Sequence, residues 1–230
     1  MSIPDLPYRP GGGRLWSRIG PASGMLFVFL VLAGFIVHGY PAIRPSDGQL
    51  QEWITVTDLN RFTIGVYIEA LGTLCLLPFV AWLYTSLRSI TGYRPWTAVL
   101  ALAAGAGYVV LVLPINESWV GILEQGKQGL DVRVSQTLVS TSQAWFLMSN
   151  MLLGLFLIAA GLAILQTRAI GRWAGWAAIA IGALGMLPGV GTLASFAILP
   201  WLLGMGAYYS IRPLDSNPEA AAHQVQPSVT

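Results

Sequence analysis

Residues 62–87 read FTIGVYIEALGTLCLLPFVAWLYTSL, and Arg88 follows at once. In that whole stretch Glu69 is the only charged side chain. As a helix rising about 1.5 Å per residue, the run is long enough to cross the ~30 Å hydrocarbon core of a bilayer. It therefore reads as a membrane helix with one carboxylate inside it. Five more apolar runs of comparable character surround it: about Ala22 to Gly39, Trp96 to Ile115, Gln143 to Leu165, Trp173 to Leu187, and Thr192 to Ser210. The expected fold is all-α, a polytopic membrane protein with six transmembrane helices.

Composition points the same way. Of 230 residues, 55% are hydrophobic and 10% charged, against about a quarter charged in a soluble domain. Such a chain cannot clothe a core in a water-facing surface, and a bilayer removes the need for one. The 26 glycines and 9 tryptophans fit as well. Glycine lets membrane helices approach closely, and tryptophan favours the interface. The net charge is only +2, with the basic residues scattered, so no nucleic-acid partner is expected. The lone cysteine, Cys75, excludes an intrachain disulfide and reads as a small buried residue.

Charge sorts the connections. Arg9, Arg14, Arg18, Arg88, Arg94, Arg168, Arg172 and Arg212 fall on one side of the six runs. Arg44, Arg61, Lys127 and Arg133 fall on the other. The positive-inside rule puts the first set, and both termini, in the cytoplasm. The resulting organisation is a cytoplasmic tail over 1–21, a membrane domain over 22–211, and a disordered cytoplasmic tail over 212–230, which includes His223. The first run follows a basic stretch as a signal peptide does, but Gly39-Tyr40-Pro41-Ala42 offers no clean cleavage site, so it is read as a retained helix.

Two outer loops, 41–61 and 116–142, are long for so compact a chain. Ser46 with Gln49 is a capping-box pattern and predicts a short interfacial helix carrying Trp53. The second loop mixes polar residues with Trp119, Val120, Ile122, Leu123 and Leu130, which predicts one or two amphipathic turns on the outer surface. Together they cap the bundle. Gly11-Gly12-Gly13 breaks any helix, and Pro188-Gly189-Val190-Gly191 predicts a tight hairpin. A degenerate repeat is also visible. Arg88-Ser89-Ile90 and Arg94-Pro95-Trp96 follow the second run, and Arg168-Ala169-Ile170 and Arg172-Trp173 follow the fourth, so two helical hairpins correspond, with Glu69 and Asn150 at matching depth.

Chemistry is sought where polarity is costly, because an ionisable group inside a membrane helix is a functional candidate by default. Glu69 qualifies, with Gly65 and Gly72 on its face. His38 lies at the outer end of the first run, one turn from Gly34. Asn150, Gln143 and Gly154 make a polar and small stripe in the fourth. Glu69, His38, Asn150 and Gln143 share the outer half of the membrane and form the expected ligand-binding set beneath the loops. Exclusions are sharper. One membrane-depth histidine cannot supply a bis-histidine haem, and Lys127 lies outside any span. There are too few His, Cys and carboxylate ligands for a metal, and no aspartate cluster or phosphate loop is present. Ser149 with His38 is the only conceivable nucleophile pair, without a supporting motif. No catalytic residue, metal or cofactor is expected.

Gly72-Thr73-Leu74 with Leu77-Pro78-Phe79, and Arg172-Trp173-Ala174-Gly175-Trp176, resemble a broad group of uncharacterised six-helix bacterial integral membrane proteins, over about Thr57 to Gly185. The resemblance implies six helices in a bacterial cytoplasmic (inner) membrane and transfers no activity. The sequence favours a non-enzymatic accessory or structural subunit, in contact with the bilayer and other membrane subunits. The alternative is binding or transport of a small lipophilic ligand at an outer pocket around Glu69. An intramembrane enzyme ranks last.

Overall fold

The computed structural model describes residues 15–41, 44–91, 96–167, 171–187 and 191–211. Among them are seven helices and no strand: α1 (Trp16–His38), α2 (Asp47–Val56), α3 (Leu59–Thr91), α4 (Trp96–Lys127), α5 (Val132–Thr167), α6 (Arg172–Gly185) and α7 (Gly191–Ile211). The Gly11–Gly13 break, most of the Pro188–Gly191 turn and the tail over 212–230 lie outside the described residues, as do Arg9, Arg14, Arg94, Arg168 and Arg212. Four helices, α1, α3, α4 and α5, are long and apolar enough to cross a membrane. α6 has 14 residues, which is about 21 Å of helix.

The six long and medium helices close a ring in chain order. α1 packs on α3, α3 on α4, α4 on α5, α5 on α6, α6 on α7, and α7 returns to α1. Small residues set the close seams. A methyl added at Gly34 would lie 2.7 Å from the carbonyl oxygen of Gly65, and one at Gly72 would lie 3.0 Å from the backbone nitrogen of Val31. On α5 and α6 the partners are Gly161 with Gly175 and Gly154 with Gly182, where an added methyl would come within 2.5–3.0 Å of the facing carbonyl. Residue numbers run in opposite senses along both seams, so each pair is antiparallel. Such contact lets dispersion and backbone packing hold helices that gain nothing from leaving water.

The apolar core has two parts. The larger joins α1, α3, α5 and α7 through Phe27, Phe79, Trp82, Phe156, Trp201 and Met205 among others. Its buried indole is satisfied, since Trp201 Nε1 donates to the carbonyl of Ala174 at 3.0 Å. The smaller lies at the other end and joins Leu50 and Ile54 of α2 to Phe62, Trp119, Leu123 and Val139. Outward faces are apolar too: Phe29, Ile36, Leu71, Val110 and Met148 are exposed, as lipid contact requires.

α2 is the short helix that the capping box predicts. The Gln49 backbone N–H donates to Ser46 Oγ, and the Ser46 backbone N–H donates to Gln49 Oε1. The segment 116–142 departs from its expectation. It is helical except around Gln128–Asp131, because α4 runs on to Lys127 and α5 starts at Val132. The hydrophobic span ends near Ile115, but helical spacing does not. Ile115, Trp119, Ile122 and Leu123 keep one face of α4 buried beyond it. The Arg133 N–H donates to Asp131 Oδ1, which caps the start of α5. α2 rests on these extensions. Gln136 Nε2 donates to the carbonyl of Pro45 at 2.6 Å, and Lys127 Nζ to that of Thr55 at 3.4 Å.

Candidate functional site

The α1–α3 seam carries the polar group. Because Gly34 and Gly65 bring the two backbones together, His38 reaches across to Glu69, with Nε2 and Oε2 2.8 Å apart. The His38 side chain is 0% exposed and that of Glu69 13%. Tyr40, just past the end of α1, donates its phenol to the same Oε2 at 3.2 Å. Burial and the neighbouring Glu69 both raise the Tyr40 phenol well above its ordinary range, so it stays a neutral donor. Tyr108 of α4, buried in the main core, lies within electrostatic reach of both Glu69 and Tyr40.

An aromatic layer encloses the group on the side of α2. His38 meets Tyr40, Phe62 and Phe35 at ring-centroid distances of 4.3, 5.4 and 5.8 Å. Phe62 opens α3, where Asp58 Oδ1 accepts the Arg61 N–H. Trp53 of α2 and Trp119 of α4 complete the layer. Some buried polar atoms here have no hydrogen-bond partner among the described residues: His38 Nδ1, Trp53 Nε1 and Asn116 Nδ2.

Of the expected four residues, Glu69 and His38 meet. Asn150 is buried and Gln143 half-buried on α5. Gly154, one turn from Asn150, is pressed on Gly182 of α6 and on Met186 just past its end, so the small residue of that stripe serves helix packing. Ser149 is buried and donates to the carbonyl of Phe146 within its own helix at 2.8 Å, an ordinary satisfaction of a serine in a membrane helix. The proposed repeat is unequal, since α4 has 32 residues and α6 has 14.

Tyr40 and the rings of Phe62, Trp53 and Trp119 are the site residues that sequence reading passed over. Tyr40 reads as an interface aromatic, and only its distance of two positions from His38 hints at more. A groove of about 580 Å³ lies apart from the pair, between α4 and α5. Leu111, Pro114, Ile122, Leu138 and Trp145 line it beside the Ser118–Ser142 hydrogen bond of 2.9 Å.

The arrangement does not assemble a nucleophile with a base or an oxyanion donor set. What it offers is a carboxylate in an apolar, aromatic enclosure, with hydrogen bonds that fix its orientation. Comparison with protein-family models, curated proteins and solved structures finds no match for the chain.

Proposed function

We propose that this chain is a six-span protein of the bacterial cytoplasmic membrane, with both termini inside, that binds a small lipophilic ligand without catalysis in the outer half of the bundle. The observation that carries the reading is the His38–Glu69–Tyr40 contact, built on the glycine seam and roofed by α2. An ionisable pair at membrane depth is expensive to hold, and packing alone would be served as well by apolar residues. The ring of helices supports six spans, because α6 and α7 stand as neighbours of α5 and α1 in the same bundle. The accessory-subunit reading ranks second. It rests on exposed apolar faces such as those of Phe29 and Val110, which suit lipid as well as protein.

Purification in a gentle detergent, with mass spectrometry of everything retained, tests the proposal. A reproducible small molecule that is lost in the Glu69→Ala variant supports ligand binding. A protein partner in fixed stoichiometry, with no small molecule, returns the subunit reading and overturns this one.

A further inference from the structure

The groove between α4 and α5 runs past the end of the apolar span. On α4 that span ends at Ile115, where Asn116 and Glu117 follow, although the helix continues to Lys127. Leu111, Pro114 and Ile115 line the groove up to that level. Trp145 of α5 lines it at the same level, because the helices are antiparallel and Ser118 meets Ser142. Beyond Ile115 the lining goes on through Ser118, Gly121, Ile122 and Gln125, with Leu138 on the α5 wall. From Leu111 to Gln125 is about 21 Å at ~1.5 Å per residue, the length of an extended palmitoyl chain. The volume of about 580 Å³ lies within the ~300–1,000 Å³ of ligand sites.

The wall asks little of a guest. Among the described residues no charged side chain lines it. Its hydroxyls are spent within the hairpin. Ser118 donates to the carbonyl of Ile115 at 2.7 Å and is 2.9 Å from Ser142, and Thr141 donates to the carbonyl of Thr137 at 2.9 Å. The exposed Gln125 amide stands at the end remote from the apolar span. Gly121 leaves the middle open, since nothing lies within 4 Å of a methyl placed there. Below Ile115, lipid tails cover such a wall without gain, because they are as apolar as leucine. Above it the same wall faces headgroups and water, where burying apolar surface under a hydrocarbon chain is favourable.

We infer that the groove takes up one alkyl chain of a lipid from the leaflet nearer α2 and holds it along the emergent part of the α4–α5 hairpin. The terminal methyl lies toward Leu111 and the polar head is level with Gln125. The wall recognises the chain, not the charge of the head. This site lies apart from Glu69 and does not rest on the reading proposed for that residue.

The experiment photolyses the full-length protein in phosphatidylcholine vesicles with two probes and maps the adducts by mass spectrometry. Both probes carry a diazirine midway along a palmitoyl chain; one is a monoacylglycerol and the other a lysophosphatidylcholine. Each is expected to label 111–125 and 138–145 about tenfold above the exposed α1 face of Leu26, Phe29 and Ile36, a preference of about 1.4 kcal/mol. Gly121→Phe, which fills the open middle, should bring the groove down to the α1 level. Leu138→Trp fills it from the other wall and decides the matter should Gly121→Phe fail to fold. Groove labelling no stronger than that of α1, or labelling that survives in a folded filled variant, overturns the inference. Labelling by one head alone overturns recognition through the chain.

Discussion

Deleting the Glu69 carboxylate strands two groups at once, because His38 Nε2 and Tyr40 Oη both meet Oε2. A buried group left unpaired costs about 1–3 kcal/mol, while interhelical hydrogen bonds inside membranes average nearer 0.6 kcal/mol. Glu69→Ala should therefore lose about 2 kcal/mol of stability. Glu69→Gln, which keeps an acceptor oxygen, should lose about half as much. Thermal unfolding in one detergent checks the order, and equal stability of the two variants would remove these bonds from the account. Tyr40 gives a pH signature. Folding raises its phenol above the ordinary value near 10, so its contribution is complete below that pH. Above it the unfolded chain ionises first and stability falls as pH rises. Tyr40→Phe should flatten the loss above about pH 10 relative to the unsubstituted protein. At this scale the sequence was partly legible. Glu69 and His38 stand out because polarity at membrane depth is rare. Their contact does not, since it depends on α3 rather than α2 lying beside α1.

At the scale of elements, the α1–α3 seam is set by backbone approach rather than by side-chain fit. Any side chain at Gly34 meets Gly65 O at 2.7 Å and the Glu69 backbone nitrogen at 2.8 Å. These are backbone atoms, so the helices themselves must part. Gly34→Ala should cost about 1–3 kcal/mol by overpacking and lengthen the His38–Glu69 contact with it. Gly121→Ala on α4 is the counterpart, because nothing lies within 4 Å of a methyl there. That change should be neutral or stabilise by up to about 1 kcal/mol through helix propensity. Unfolding of the two variants side by side tests whether contact or propensity governs each glycine. Reading elements from the sequence succeeded where one strong cause acted: the Ser46–Gln49 capping box located α2, and hydrophobicity located the four helices long and apolar enough to cross a membrane. It stopped at Asn116 because apolarity ended there, while the helix was carried on by Trp119, Ile122 and Leu123 packing beneath α2.

For the whole molecule, α4 and α5 measure about 48 and 54 Å at about 1.5 Å per residue from their 32 and 36 residues. A bilayer core of ~30 Å cannot cover them. Thr97 of α4 donates to Gln166 of α5 near one end of the pair at 3.0 Å, and Ser118 meets Ser142 some 20 positions further along. The hairpin is thus continuous from end to end, and its excess length emerges where α2 sits. If the positive-inside assignment is right, that emergent end faces outward, and Arg172 at the start of α6 faces the cytoplasm. In a Cys75→Ser background, Gln128→Cys, exposed between α4 and α5, should react in intact cells with a maleimide that cannot cross the membrane. Arg172→Cys, also exposed, should react only after the cells are opened. The reverse pattern would invert the protein and place the His38–Glu69 site in the inner half of the bilayer. Labelling of both in intact cells would mean that α5, which lies between them, does not cross the membrane. In that case the ring of six could not be six spans, although the roof over Glu69 would still face outward.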